Sequence, residues 1–171
     1  MIPRQPWFER RFTFDLSPTL FPNVVERLRG TPARLEERVA HLSPATLTRR
    51  LGAAWSIQEN VGHLLDLEPL WLERARQLRA GAAELVAADV SNRATHAGGH
   101  NSRRLSDLLR DFRLARSRLV ELLESADMAF VIRAARHPRL GTPIRLIDLA
   151  FFVAEHDDHH LATISELLRR G

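Results

Sequence analysis

From Ile144 to Leu168 the chain keeps an apolar pattern at helical spacing with no breaker, and inside it stands the polar run Glu155-His156-Asp157-Asp158-His159-His160. Thr142 is placed to cap a helix and Pro143 to occupy its first position, so the spacing predicts one long helix continuing to Gly171. His156 and His160 are four residues apart and project from one face, which also carries Leu149, Phe152, Val153, Ile164 and Leu167. Both imidazoles therefore point toward a core. Two inward histidines one turn apart either grip a divalent metal or serve as hydrogen-bonded core residues, and the pair alone leaves both readings open.

A third histidine bears on the choice. His63 lies in Trp55-Ser56-Ile57-Gln58-Glu59-Asn60-Val61-Gly62-His63-Leu64, where Ser56 and Glu59 form a Ser-x-x-Glu capping box that starts a second helix. At about 100° per residue His63 falls on the side of Leu67, Leu70 and Trp71, so it too faces inward. Two packed helices can bring one histidine from the first and a one-turn pair from the last to a single point.

The pattern Trp-Ser-x-x-Glu-x-x-x-His-Leu, followed far downstream by His-x-x-x-His in a final helix, resembles the DinB/YfiT-like superfamily of metal-binding four-helix bundles. The N-terminal run Trp7-Phe8-Glu9-Arg10 and the segment Arg27 to Arg34 are similar to one subgroup of it, so the resemblance spans nearly the whole chain. It implies metal ligands at His63, His156 and His160, holding a divalent ion such as Zn, Ni, Fe or Mn. It also implies an enzyme acting on a small molecule, either a thiol-dependent transferase using a low-molecular-weight thiol or a hydrolase. Homodimers are common among such relatives.

Composition sets the outer limits. A chain of 171 residues with 44% hydrophobic residues suits a single domain, 1–171, with a sizeable core. It has no cysteine, which excludes disulfides, thiolate metal sites and cysteine nucleophiles, so a metal must be held by nitrogen and oxygen. No apolar stretch is long enough to span a bilayer and the N-terminus lacks a signal-peptide pattern, so a cytoplasmic protein with no membrane partner is expected. The sequence pI of about 11.1 rests on 25 basic residues that are all arginine, interleaved with 21 acids. Such a pattern describes a solvated helical surface rather than a nucleic-acid interface.

The rest of the chain divides around these helices. Trp7, Phe8, Phe12 and Phe14 in the non-periodic segment 1–17 suggest an aromatic arm that packs across the bundle or onto a neighbouring subunit. A helix from Thr19 to Arg29 is expected to kink or break at Gly30, with Thr31-Pro32 starting the next segment. Ser43-Pro44 signals a short helical turn, and the His63 helix should run to Ala80 despite Pro69. A long connection covers 81–100, Asn101 is placed to cap a third helix to Glu124, and a second connection follows from Asp127 to Gly141, with Phe130-Val131-Ile132 as an extended piece. The fold class is all-α, a four-helix bundle, up-down with long connections.

Three neutral histidines leave an ion its full charge and at least one open position, the layout of a catalytic zinc site. Such an ion lowers the pKa of its water to about 7 or activates a substrate thiolate. Asp157 occupies the place of the general base in His-Glu-x-x-His metalloproteases, and His159, about 60° off the ligand axis, is placed for proton transfer. Glu59 and Asp66, one turn either side of His63, are candidates to orient its ring. His96 and His100 are also four apart, but Gly98-Gly99 argues against a regular helix there. The function expected is a metal-dependent enzyme working on a small molecule, and the alternative is a non-catalytic metal-binding or stress-related bundle. A homodimer is expected from the aromatic arm and from Phe151 and Ala154, opposite the histidines.

Overall fold

In the computed structural model, residue 2 and residues 4–170 are described. Four long helices make the bundle: α1 (Phe21–Val39), α3 (Ile57–Ala80), α5 (Leu105–Glu124) and α7 (Leu146–Arg170). Short helices α2 (Pro44–Thr48), α4 (Arg93–Ala97) and α6 (Met128–Val131) and the strands β1 (Ala134–Arg136) and β2 (Pro143–Arg145) lie in the connections. No helix among the described residues is long and apolar enough to cross a membrane.

The core falls into two apolar groups. One contains Val25, Leu28, Trp71, Leu78, Leu119 and Phe152, and the other contains Leu35, Leu64, Leu108, Phe112 and Ile164. α1 and α7 pass from the first group to the second as the chain advances, and α3 and α5 pass from the second to the first. The helix directions are therefore up, down, down, up. The connection 81–104 makes this order possible, since it recrosses the length of the bundle to return the chain to the end where α3 began.

Between the two groups each long helix contributes one polar residue: Thr31, Glu68, Arg116 and Asp157, all buried. Arg116 is only 1% exposed, and its guanidinium reaches Glu68 (Nη2 to Oε1, 2.6 Å) and Asp157 (Nη1 to Oδ2, 2.5 Å). Thr31 donates its hydroxyl to Asp157 at 2.8 Å. Burial pushes the Glu68 carboxyl up from its ordinary range, against the pull of Arg116.

This layer also explains why α1 does not break at Gly30. Pro32 has no N–H to give the Leu28 carbonyl, which is the loss that ordinarily ends a helix. Arg116 Nη1 donates to that carbonyl instead, at 3.2 Å, and the Thr31 side chain expected to cap a new helix is engaged with Asp157. A side chain from another helix restores what local sequence removed, so α1 is continuous through Gly30, Thr31 and Pro32.

Other boundaries shift for similar reasons. Thr142 and Pro143 do not start the last helix: Pro143 opens β2, which pairs antiparallel with β1 in the register Ala135↔Ile144. α7 begins at Leu146, where Asp148 accepts the Arg145 backbone N–H at 2.9 Å and binds its guanidinium. Gly171, the expected end of that helix, lies outside the described residues. Phe130 and Val131 belong to α6, capped by Asp127, rather than to an extended piece. Asn101 does not cap α5, which starts at Leu105, because its side-chain oxygen accepts the Ser56 hydroxyl at 2.7 Å.

The N-terminal arm folds onto its own chain. Phe12, Phe14 and Leu16 alternate with exposed neighbours and pack on the core, and Trp7 meets Phe152 and His156 with ring centroids 5.1 and 5.0 Å apart. Ala154 is fully buried and Phe151 is half-buried against the core, so the surfaces that pointed to a dimer are largely covered within one chain.

Candidate metal centre

His63 is carried nearly two turns into α3. The helix starts where sequence places it, with Ser56 accepting from the Glu59 amide at 3.1 Å and Glu59 accepting from the Ser56 amide at 2.8 Å. Glu59 also binds Arg50, so it fixes the helix end and does not orient His63. His156 and His160 stand on the middle of α7. The three imidazoles are buried and face one another, with centroids 5.3 Å (His63 to His156), 4.7 Å (His63 to His160) and 4.6 Å (His156 to His160) apart. Their candidate donor nitrogens all lie within 4.8 Å of one another.

Neighbouring side chains decide which nitrogen of each ring is bare. The Asn60 amide nitrogen donates to the Ser56 carbonyl at 2.8 Å, which turns its oxygen toward His160 Nδ1, also at 2.8 Å. His160 therefore carries its proton on Nδ1 and leaves Nε2 unprotonated. Thr95 spends its one hydroxyl proton on Asp66 Oδ2 at 2.9 Å, so at 2.9 Å from His63 Nδ1 it can only accept. His63 is fixed in the same tautomer. His156 differs, since its Nδ1 is buried with no hydrogen-bond partner and its Nε2 lies 3.2 Å from His160 Nε2.

Burial holds His63 down to about 4, and pushes His156 and His160 well below the usual histidine range, with the neighbouring rings adding to the effect. All three are neutral at physiological pH, the state in which imidazole binds a metal. A tetrahedral zinc with bonds of 2.0–2.1 Å sets its nitrogens roughly 3.3 Å apart, close to the His156–His160 separation. Buried, neutral, with their far nitrogens tied back on two of the three rings, these residues fit a divalent ion.

The connection 81–104 completes this arrangement, and sequence reasoning missed its part. It brings Thr95 to His63, and it brings His100 to Asp66, with Nε2 2.9 Å from Oδ2. The His100 ring lies over Gly62, where an added Cβ would sit 2.2 Å from it, so only glycine beside His63 admits the loop this closely. His96, exposed, packs edge-on against Trp55 and stays out of the cluster. Asp66 thus orients His63 through Thr95, one step more remote than its position in the helix indicates.

Asp157, on the far side of the ligand pair, directs both carboxylate oxygens to Arg116 and one also to Thr31. A carboxylate committed in that way ties helices together and is ill placed to take a proton. His159 is half-buried beside His160, at a centroid distance of 5.4 Å. Arg4 Nη1 reaches its Nε2 at 2.7 Å, and burial, with Arg4 and Arg10, holds the ring down to about 4.

The three histidines open on a cavity of about 660 Å³. Trp7, Trp55 and Trp71 line it, and they are all the tryptophans the chain has. Asp89, the one acid among the described lining residues, has its carboxylate bound by Ser91 and Arg93.

The sequence profile of the DinB superfamily matches residues 27–164. YfiT from Bacillus subtilis, described as "a probable metal-dependent hydrolase with an unusual four-helix bundle topology", superposes with a TM-score of 0.79 at 22% identity, over 95% of this chain and 93% of that one. A mycothiol-dependent maleylpyruvate isomerase superposes at 0.66 with 12% identity, over 88% of this chain and 62% of that one. No curated protein matches the sequence.

Proposed function

Because the chain belongs to the DinB superfamily, we propose that His63, His156 and His160 hold one divalent ion, zinc or nickel by the preference of imidazole donors, and that the protein is a metal-dependent enzyme acting on a small molecule in the adjoining cavity. The observation that carries this reading is the buried cluster of His63, His156 and His160 on the cavity wall, with candidate ligand nitrogens within 4.8 Å of one another and the Nδ1 atoms of His63 and His160 tied back by Thr95 and Asn60. When bound, the ion supplies Lewis acidity and lowers the pKa of a water or thiol beside it.

The protein's own groups favour thiol-dependent transfer over hydrolysis. Hydrolysis, even with the pKa of a water beside the ion lowered to about 7, is ordinarily helped by a carboxylate that takes the proton during attack, and the cavity wall offers no unpaired carboxylate among the described residues. A thiol ionises near pH 8.5 and needs less help. His159 lies next to His160, but Arg4 Nη1 faces its Nε2 at 2.7 Å and burial, with Arg4, holds the ring down to about 4, so that proton passes to solvent rather than to this ring. The tryptophans exclude water and give flat apolar walls for the acceptor molecule. YfiT is described as a probable metal-dependent hydrolase and the isomerase as mycothiol-dependent, so the fold is compatible with either reading.

The test is activity before chelation, after chelation and after reconstitution with zinc or nickel, on thiol-conjugation and ester-hydrolysis substrates. Thiol-dependent turnover that disappears with the ion and returns with it is the expected result. A protein that holds its ion, is inert on both substrate sets and unfolds on chelation is a non-catalytic metal bundle.

The tautomer assignment has its own consequence. Asn60→Ala leaves His160 Nδ1 without its acceptor, and Thr95→Val does the same to His63. Each is expected to weaken metal affinity about 10- to 100-fold, measured by competition with a chelating dye. Unchanged affinity in both variants would contradict the assignment.

A further inference from the structure

At the end of the cavity away from the histidines, positive groups gather without an acid. Arg74 forms part of the cavity wall, is 1% exposed, and has an Nη2 with no hydrogen-bond partner. Its Nε donates to the Val86 carbonyl at 3.0 Å, and its guanidinium lies over Trp71. Among the described residues no carboxylate pairs with it. Arg139, exposed at the rim, lies over the rings of Phe8 and Phe152 and has no ion pair there either. Burial, with Arg139 close by, draws Arg74 down to about 10, which leaves it charged at neutral pH.

His137 adds to the imbalance. Its Nε2 lies 3.1 Å from Arg74 Nη1, and its Nδ1 lies 3.2 Å from the backbone amides of Arg139 and Leu140. A neutral imidazole has one bare nitrogen, yet donors face both. Whichever nitrogen holds the proton, one N–H meets another. Buried charge and buried donors without acceptors are costly, and the other buried arginine among the described residues, Arg116, is paired with two carboxylates.

We propose that Arg74, Arg139 and His137 form a subsite for a carboxylate of the small molecule whose reacting end lies at the three histidines. With its Nε given to the Val86 carbonyl and its Nη1 at His137, Arg74 has its Nη2 left to offer a carboxylate, and the apolar surround of Trp71, Phe8 and Phe152 favours a singly charged group over a phosphate dianion. Position supports one ligand reaching both ends. Arg74 follows His63 by eleven residues, three turns of α3, so it returns to nearly the same helix face roughly 16 Å along the axis. Phe152, which His137 and Arg139 both touch, is one turn before His156 on α7.

The proposal rests on the cavity being a small-molecule site and is tested without any turnover. All three tryptophans line the cavity, so their fluorescence can follow titration with 4-phenylbutyrate and with its uncharged analogue 4-phenylbutan-1-ol. The acid is expected to bind at least about tenfold more tightly than the alcohol. Arg74→Gln should abolish that preference while leaving alcohol binding intact. If Arg74→Gln fails to fold, Arg139→Gln decides, since Arg139 is exposed; it should weaken acid binding about threefold or more, on the scale of an exposed charge pair. The preference should survive chelation and the His156→Ala substitution; if it vanishes there, the acid binds the ion and the proposal fails. Equal affinity for acid and alcohol, or an unchanged preference in the folded variants, overturns it. Displacement of the acid by equimolar inorganic phosphate overturns the carboxylate in favour of phosphate. Binding of neither probe overturns the small-molecule reading of the cavity itself.

Discussion

Replacing His160 with alanine is expected to remove the metal and leave the bundle standing. His160 supplies one of three neutral donors, and its loss should cost more affinity than the about 10- to 100-fold that an outer partner is worth. The folded state does not depend on the ion to the same degree. The two apolar groups include many fully buried side chains, and burial is worth roughly 25 cal/mol per Å² of apolar surface. The substitution opens a small gap and leaves Asn60 Oδ1 without its donor, which together cost about 1–3 kcal/mol. Circular dichroism and thermal melting should therefore show native helix content with a modest drop in Tm, in a protein that no longer retains metal after dialysis. Cooperative unfolding of the wild type on chelation would mean that the ion is a folding element.

Arg116→Met is expected to do the reverse, leaving the metal ligands in place and destabilising the fold by about 3–5 kcal/mol, because it strips the countercharge from two buried carboxylates. The same change also leaves the Leu28 carbonyl unpaired beside Pro32. Against a typical domain stability of about 5–15 kcal/mol this is a large fraction. The deficit has a pH signature. Burial already raises Glu68 above its unfolded value with Arg116 present, and without Arg116 it should rise further. A carboxyl whose folded pKa is raised contributes stability below its unfolded pKa of about 4.3, and that contribution is lost as pH climbs through the folded pKa. The penalty of Arg116→Met should thus be larger at pH 7 than at pH 5, as read from urea denaturation at the two values. A deficit under about 1 kcal/mol at pH 7 would remove the layer from the account of stability.

The ligands were legible in the sequence because a histidine on an apolar helical face breaks a strong pattern. His63, His156 and His160 each interrupt such a face, and helical spacing alone brings the last two together. Arg116 interrupts the stripe of Phe112, Leu119 and Leu123 in the same way, and Arg74 returns to the face of His63 after three turns, so both carried a signal of the same kind. Their partners did not, because Glu68 and Asp157 meet Arg116 only through packing of three helices. Local signals failed where tertiary contacts supplied what they lacked: Pro32 should end α1, but a guanidinium from α5 occupies the freed carbonyl. Thr142-Pro143 is a sound helix start that the hairpin uses as a strand, and nothing near Thr95 announces that it will orient a ring 32 residues away.

The central claim is that three neutral imidazoles hold one ion, and elemental analysis of protein produced without a histidine tag tests it most directly. Wild-type protein should carry one divalent ion per chain after exhaustive dialysis against metal-free buffer, and His63→Ala, prepared the same way, should carry almost none. Wild-type protein free of metal even after incubation with zinc or nickel, or His63→Ala with an undiminished complement, would contradict the account.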